Sequence, residues 1–359
     1  MKPTDPATEP IESRSPRVLF IATDLSTGGG VNKAIRDQAA LLDSLGAEVT
    51  VVNARSDRTP TYPIPDSVKL EQGRSRSRLA YFRTLLRLRK SKPDFVVSSW
   101  TQDNILAVLA FAFSRARLIL VEHTSWNFHS APLRLLRAMI YPVAWRVIVL
   151  NPAELEHYRP GLNNVHLLPN VVPEMALQAE ASREKLILAV GHLEPRKNFA
   201  DAIRAMAQSG LEAQGWSLAI VGDGPQKAEL EQLIASLGLN RTTIHRPTPD
   251  IAQWYARSSL TLVTARLEVF SLVLAEAMLS GVVPIAYAAD GPAFILQEFP
   301  ESLVAMGDVN GLAQGLVKFA SSRDLSQLRG DLRHSIEDRF SPEVIAAEWS
   351  KLLAEAPAC

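Results

Sequence analysis

The chain carries one cysteine, Cys359, among 359 residues, so it forms no disulfide within itself. A near-absence of cysteine suits a reducing cytosol. Lysine plus arginine and aspartate plus glutamate number 38 each, so no overall basic field favours a nucleic-acid partner. No run of about 18 apolar residues occurs, so no membrane-spanning helix is predicted. A cytoplasmic protein is expected.

Several signatures of catalysis and cofactor binding are also missing. The seven histidines are scattered and no H-E-x-x-H pattern occurs, so no metal site is expected. No G-x-S-x-G sequence marks a hydrolase nucleophile. The glycine-rich turns match neither G-x-G-x-x-G nor the Walker A pattern, which disfavours dinucleotide and P-loop readings. No cofactor is predicted.

What the chain does contain fits two globular domains. Its length favours two domains over one, and 47% hydrophobic with 21% charged residues is typical of full cores. Residues 1–15 are polar, lack the apolar segment of a secretory signal, and are expected to form a disordered tail.

Apolar, β-branched runs alternate with helical patterns, which predicts parallel α/β sheets. The strands are predicted at residues 18–22, 49–53, 95–98, 118–121 and 147–150, and again at 186–190, 218–221, 243–245, 260–264 and 282–286. The pattern pauses around residues 167–184. We therefore expect two Rossmann-like domains facing across a cleft, over 16–172 and 173–340, with a closing helix over 341–359 that can return to the first domain. Ligands of such sheets bind at the carboxyl ends of the strands.

Glu268 and Glu276 form the most informative pair. An apolar strand pattern precedes Glu268, and a helical pattern contains Glu276. A helix start offers free N–H groups and a positive dipole end to phosphate, and nearby carboxylates can accept hydrogen bonds from sugar or ribose hydroxyls. The plainer interpretation is one glutamate on a surface loop and another on a solvated helix face.

Three glycine-containing turns and one histidine also follow predicted strands. Gly29 and Gly30 precede a helix and make an anion cradle plausible, although a turn that merely needs glycine is the alternative. The second turn, at residues 190–198, includes Lys197, a point charge for a diphosphate. The third, at residues 221–225, is predicted to be a tight turn between a strand and a helix, with glycine and proline serving that turn alone. His123 follows a strand and suits a hydrogen bond to a substrate hydroxyl, although a lone histidine is usually structural.

Together these segments resemble the retaining glycosyltransferases of family 4, which have the GT-B fold. The likeness covers nearly the whole chain beyond the tail. It rests on the order and spacing of the early glycine loop, Leu168-Pro169-Asn170, Gly191 to Lys197, Val221 to Pro225, Glu268 to Glu276, and Gly291-Pro292.

The resemblance implies a role for each matched residue. The first domain would be the acceptor side and the second would bind the nucleotide sugar. Glu268 would contact hydroxyls of the donor sugar, Glu276 would hold the ribose, and Lys197 would bind the diphosphate. His123 would lie near the sugar and acceptor. The remaining donor-binding positions are Gly29, Gly30, His192, Arg196, and the backbone amides of Phe270, Ser271 and Leu272. The family needs no metal, because basic groups and helix N-termini stabilise the leaving group.

Two departures from the family pattern concern the donor. His192 stands where the family usually has arginine, so leaving-group stabilisation is weaker there unless Arg196 substitutes. The segment Val269-Phe270-Ser271 replaces Gly-Phe-Gly and narrows the space near the sugar.

The function expected is transfer of a sugar from a nucleotide sugar, with a UDP-sugar favoured, to an acceptor hydroxyl on a glycan or lipid-linked acceptor in cell-surface polysaccharide or glycolipid assembly. Two alternatives stay open. One is a nucleotide-sugar epimerase of similar fold. The other is a degenerate homologue that binds glycans or partners without turnover.

A basic segment at residues 73–92 adds a membrane hypothesis. On a helix, one stripe carries Arg76, Arg83, Arg87 and Lys90, and the opposite side, which should pack on the sheet, carries Leu79, Phe82, Leu85 and Leu86. Arg134, Arg137 and Arg146 would extend this surface. Docking on the inner face of an anionic membrane is predicted, with an ordinary solvated basic helix as the alternative.

Overall fold

The computed structural model describes residues 14–73, 77–175, 183–248 and 250–356, apart from the side chain of Arg78. The chain divides into two compact units. The first comprises Met1–Val171 with Pro342–Cys359, and the second comprises Val172–Ser341. Each unit is built on its own parallel sheet, which confirms the two Rossmann-like domains expected from the alternation of strands and helices.

The described residues of the first unit form a seven-stranded sheet in the order β3-β2-β1-β4-β5-β6-β7. Its strands are β1 Arg17–Ala22, β2 Glu48–Asn53, β3 Lys69–Gln72, β4 Phe95–Ser98, β5 Arg117–Val121, β6 Arg146–Val149 and β7 Val165–Leu167. The connecting helices are α1 Gly30–Ser44, α2 Arg78–Leu88, α3 Thr101–Phe111, α4 Ala131–Ile140 and α5 Pro152–Tyr158. The central strands are β-branched and buried on both faces, as parallel sheets require.

The described residues of the second unit form a six-stranded sheet in the order β10-β9-β8-β11-β12-β13. Its strands are β8 Leu186–Val190, β9 Ser217–Val221, β10 Thr242–His245, β11 Leu260–Val263, β12 Val283–Tyr287 and β13 Leu303–Val304. Its helices are α6 Phe199–Ser209, α7 Lys227–Ser236, α8 Ile251–Arg257, α9 Leu272–Leu279, α10 Asp290–Ile295, α11 Val309–Ala320 and α12 Ser326–Phe340.

The closing helix, α13 Pro342–Ala354, belongs to the first unit and contacts α1. Ile345, Trp349 and Leu352 recur at helical spacing on one face and are fully buried. The return to the first domain, left open by the sequence, therefore occurs.

The prediction for the basic helix is wrong in part. Tyr81, Leu85 and Leu88 are buried at the spacing of one helical face, whereas Leu79 is 58% exposed and Leu86 39% exposed. The large Tyr81 ring and Leu88 fix which face meets the sheet. Arg83 and Arg87 are exposed on α2, but the helix ends before Lys90, which lies in a 3-10 turn. Arg76 lies outside the described residues.

Arg137 also corrects the predicted basic surface, because its side chain is completely buried. Its Nη2 lies 2.7 Å from Oε2 of Glu122. The guanidinium also lies within 5.5 Å of the ring centroids of Trp126, Tyr141 and Tyr158. Such a paired, stacked arginine is a core residue, and it contributes no charge to a docking surface.

Candidate functional site

Two loops of the second unit lie where the strand order reverses. β8 and β11 are neighbours, and from them the sheet continues in opposite directions along the chain. The loop at residues 191–198 follows β8, and the loop at residues 264–271 follows β11. Such a topological switch point opens a crevice at the carboxyl ends of the strands, where open α/β sheets bind ligands.

The two loops are tied together. The backbone N–H of Arg266 donates to the carbonyl of Arg196 at 2.8 Å, and the hydroxyl of Thr264 donates to the carbonyl of Lys197 at 3.1 Å. Nζ of Lys197 forms an ion pair with Oε2 of Glu268. The structure thus brings two of the site residues expected from the sequence, Lys197 and Glu268, into direct contact.

A third turn supports the first of these loops. Leu193 donates its N–H to the carbonyl of Asp223 at 2.9 Å and accepts from the N–H of Gln226 at 3.0 Å. A Cβ added to Gly222 would lie 2.0 Å from the carbonyl oxygen of Gly191, closer than packed atoms approach. The turn at residues 221–225 therefore needs glycine so that it can lie against the Lys197 loop.

Gly291, at the start of α10, plays the same part for the Glu268 loop. Its N–H donates to the carbonyl of Glu268 at 2.8 Å. A Cβ added there would lie 2.7 Å from that oxygen and 2.9 Å from the nitrogen of Phe270. The backbone that carries Glu268 is therefore held against a residue with no side chain.

Glu276 lies inside α9 and Glu268 in the loop before it, as the sequence predicted. The Glu276 side chain is buried, with 4% of the residue exposed, and the Tyr255 hydroxyl of α8 donates to its Oε2 at 3.0 Å. Because the Tyr255 hydroxyl holds one oxygen of this buried carboxylate, the orientation of its other oxygen, which can also accept hydrogen bonds, is fixed as well. Tyr255 belongs to no sequence motif, so its contact with Glu276 is seen only in the structure.

Phe270, Ser271 and Leu272 lead into α9 and are buried. The Phe270 ring packs edge-on against Phe340 at 5.2 Å, so its side chain serves the core. The Ser271 side chain makes no capping hydrogen bond. The first N–H groups of α9 have no acceptor within the helix, and they carry its positive dipole end.

The basic side chains of the site differ in their exposure and in their ion pairs. His192 is exposed, and Arg196 pairs its Nε with Oε1 of Glu194 at 2.6 Å. Arg266 was overlooked in the sequence, although it stands two residues before Glu268. Its side chain is 58% exposed, with Nη2 3.8 Å from Oδ2 of Asp201.

In the first unit, Gly29 and Gly30 begin α1 after β1. Gly29 adopts a φ of 138°, a backbone conformation that favours glycine. The Asn32 side chain donates to the carbonyls of Asp24 and Thr27, each at 2.8 Å, and so closes the loop. The helix start that an anion cradle needs is therefore preformed, with Asn32 as a support that the sequence did not reveal.

His123 follows β5 of the first unit. Burial lowers the pKa of His123 to about 4, so the ring is neutral at pH 7. Its Nε2 is buried and meets no hydrogen-bond partner among the described residues. The preceding residue, Glu122, accepts from Nδ2 of Asn104 at 2.9 Å and from the Tyr141 hydroxyl. The histidine loop is anchored by this buried carboxylate.

Asp103 is a further buried carboxylate that the sequence analysis missed. It lies in α3, after β4, and the Thr23 hydroxyl at the end of β1 donates to it at 2.6 Å. Burial raises the pKa of Asp103 to about 6, against the opposing effect of that hydrogen bond. β1 and β4 flank the switch point of the first sheet, so Asp103 joins the two loops there.

Among the described residues, no group of three or more histidine, cysteine, aspartate or glutamate side chains is placed to hold a metal ion. Within the same part of the chain, no helix is long and apolar enough to cross a membrane.

Two family models match adjoining parts of the chain. The model of the glycosyl transferases group 1 matches residues 174–337, and the model of Glycosyltransferase Family 4 matches residues 28–174.

Two relatives match over almost the full length of this chain and of their own. The amylovoran biosynthesis glycosyltransferase AmsD of Erwinia amylovora is 28% identical over 353 residues, covering 94% of this chain and 99% of AmsD. An alpha-1,4-N-acetyl-D-galactosaminyltransferase of Campylobacter jejuni, whose name includes diNAcBac-PP-undecaprenol, is 25% identical over 358 residues. The match covers 94% of this chain and 98% of that protein.

Solved structures show the same fold. The crystal structure of Anabaena Alr3699/HepE in complex with UDP and glucose superposes with a TM-score of 0.80 at 18% identity, covering 95% of this chain and all of that one. The two family models, the full-length relatives and the shared architecture agree. The chain belongs to the group 1 glycosyltransferases and has the GT-B fold.

Proposed function

We propose that the chain is a retaining, metal-independent glycosyltransferase. It moves a sugar from a nucleotide sugar, with UDP as the favoured nucleotide, to an acceptor hydroxyl. The observation that carries this proposal is the Lys197–Glu268 ion pair at the switch point of the second sheet, beside the start of α9. A cation for a diphosphate and a carboxylate for sugar hydroxyls are held together there by the paired loops.

The donor would bind to the second unit. Lys197 and the first amides of α9, at Phe270, Ser271 and Leu272, would neutralise the diphosphate. Glu268 would then accept hydrogen bonds from the sugar, and Glu276, held by Tyr255, from the ribose.

Leaving-group stabilisation would come from these fixed charges, because cleavage of the bond between the anomeric carbon and the diphosphate oxygen leaves one additional negative charge on the diphosphate. Arg196 and Arg266 lie on the two paired loops and would add to Lys197. The acceptor would attack from the face that the nucleoside diphosphate leaves, with positioning as the main source of rate.

Residues of the first unit would serve the acceptor side. Neutral His123, with Nε2 lacking a protein partner among the described residues, would hydrogen-bond a sugar or acceptor hydroxyl. The start of α1 at Gly29 and Gly30 would bind an anionic group of the donor.

The acceptor is proposed to be a glycan or a lipid-linked glycan of cell-surface polysaccharide or glycolipid assembly. The names of AmsD and of the undecaprenol-directed Campylobacter jejuni relative support that choice. We therefore propose that the protein is cytoplasmic and docks peripherally on the inner face of the membrane. Arg83, Arg87 and Lys90 are among the cations that would contact the lipid.

Product analysis tests the function. The purified chain would be incubated with UDP-, GDP- and ADP-sugars and extracted acceptors in the presence of a chelator. Transfer with the anomeric configuration preserved is the expected result, read by NMR. An inverted linkage would contradict the retaining mechanism, and loss of transfer in the chelator would contradict metal independence. An epimerised sugar, or binding without turnover, would favour one of the two alternatives.

His192→Arg is expected to tighten UDP binding several-fold, because a guanidinium keeps its charge and can donate two hydrogen bonds to phosphate. Calorimetry with UDP at pH 8 measures the gain, with His192→Gln as the uncharged control. Equal affinity of the arginine and glutamine variants at pH 8 would mean that Arg196 or Arg266 already fills this role.

A further inference from the structure

The part of the first unit from residue 72 to residue 153 exposes no acidic side chain. Its sequence contains three acids, Asp94, Asp103 and Glu122, and all three are buried, with at most 9% exposed. Asp94 is paired with Arg14 and Arg17, and Glu122 with Arg137. The charged side chains that the described residues of this segment present to solvent are cationic, among them Arg83, Lys90 and Arg115. Arg87 is also exposed, with its Nη2 3.8 Å from Oε2 of Glu71 just outside the segment.

The same segment concentrates the exposed apolar side chains of the described chain. Among the described residues, fourteen large hydrophobic side chains are more than a third exposed, and four of these, Leu45, Leu237, Met306 and Val317, lie outside the segment. The ten within the segment are Leu79, Leu86, Trp100, Leu109, Phe113, Phe128, Leu135, Leu136, Met139 and Val143. Scattered exposed leucines need no explanation, but a concentration of this kind marks an interaction surface.

Six of these ten residues lie on the adjacent helices α2, α3 and α4, and the other four lie in the segments that connect the helices to the strands. α2 contacts α3, and α3 contacts α4, so the three form one layer against the sheet. On α4, Leu135 and Met139 stand one turn apart and are 63% and 62% exposed, while Phe113, beyond the end of α3, is 88% exposed. We call the exposed side of α2, α3 and α4, with Phe113, Phe128 and Val143, the apolar-cationic face.

The charge pattern selects the occupant. A second copy of the chain, joined through the same face by two-fold symmetry, would place cations against cations, because the described residues of this segment expose no acidic side chain. An anionic bilayer instead supplies acyl chains for the leucines and phenylalanines and phosphates for the arginines and lysines.

We propose that the apolar-cationic face docks this protein on an anionic lipid bilayer, with Leu135, Met139 and Phe113 inserted below the headgroups. The face extends the membrane contact of the proposed function from the charges of α2 to the apolar ridge of α4. The docking proposal rests on the proposed function in one respect, namely that the acceptor is carried by a membrane. Insertion of apolar side chains makes part of the membrane binding insensitive to salt. Electrostatic attraction by the arginines of α2 alone would be screened by salt.

The test is sedimentation of the full chain with vesicles of phosphatidylcholine, with and without phosphatidylglycerol, at low and high salt. The wild-type chain is expected to bind the anionic vesicles and to keep part of that binding at high salt. Leu135→Ser/Met139→Ser should weaken binding by about tenfold at either salt concentration. Arg83→Gln/Arg87→Gln should lose mainly the salt-sensitive part.

The matched control is Leu237→Ser/Val317→Ser, which removes two exposed apolar side chains from the second unit and should bind like wild type. Equal binding by the Leu135/Met139 variant and wild type would overturn the proposal. So would a dimer in solution that this variant dissociates, because the face would then join two copies. Transfer to a water-soluble acceptor analogue is measured in parallel. Transfer without vesicle binding refutes the docking face alone, and vesicle binding without transfer refutes the proposed activity alone.

Discussion

Gly291→Ala is expected to slow sugar transfer by roughly a hundredfold while the chain stays folded. The added Cβ would lie 2.7 Å from the carbonyl oxygen of Glu268, 2.8 Å from the carbonyl carbon of Val269 and 2.9 Å from the nitrogen of Phe270. All three are backbone atoms, so rotation of a side chain cannot relieve the overlap. The loop must move away from α10, and a shift of about 1 Å in a positioning group costs roughly a hundredfold in rate.

The matched control is Gly330→Ala in α12, where a Cβ would meet nothing within 4 Å. That variant should transfer sugar normally and gain up to about 1 kcal/mol of stability, because alanine is the better helix former. Transfer rate, affinity for the donor nucleotide and melting temperature are measured for both. Near-normal transfer by Gly291→Ala would show that the Glu268 loop is not held to the geometry seen here.

Glu276→Ala is expected to weaken UDP binding by about 1.5–3 kcal/mol, the range for hydrogen bonds to a charged group. The reason is the loss of the carboxylate proposed to accept from ribose hydroxyls. Tyr255→Phe keeps the carboxylate but removes the hydroxyl that fixes it at 3.0 Å, so its effect should go in the same direction and be smaller.

A UDP analogue whose ribose lacks both hydroxyls separates this role from a structural one. Wild type, Glu276→Ala and Tyr255→Phe should bind the analogue with similar affinity. Restoring the hydroxyls should then raise the affinity most in wild type, less in Tyr255→Phe and least in Glu276→Ala. Calorimetry supplies the affinities, and thermal unfolding without ligand reports any loss of fold. A folded Glu276→Ala variant with undiminished UDP affinity would remove the ribose role.

Nine of the ten strands that the sequence predicted are mostly buried, and the tenth, β10, is an edge strand with one buried residue. Their β-branched runs are long enough to be recognised, and all ten predicted strands are present within one or two residues of their expected ends. The strands that were missed, β3, β7 and β13, lie at sheet edges and have two to four residues each. Edge strands bury less, so their sequences carry less of the apolar pattern that predicts a strand.

Residues of the candidate site could be predicted where they belong to a sequence motif. They could not be predicted where they join the site only through a contact with another residue. Glu268, Glu276 and Lys197 stand in patterns of known spacing, whereas Tyr255 reaches Glu276 from another helix. Arg137 shows the converse failure. Its place between apolar residues suggested a basic surface, but the pairing with Glu122 depends on the meeting of β5 and α4, which no local pattern encodes.

The membership of α13 in the first unit bears on the order in which the protein is completed during synthesis. The second unit is contained between residues 172 and 341, so all of it leaves the ribosome before the last helix does. Domains generally fold as units as they emerge. α1 packs on β1 and β2, but until α13 appears the side of α1 that contacts this helix stays open to water. The unit that begins first along the chain is therefore the last to be finished.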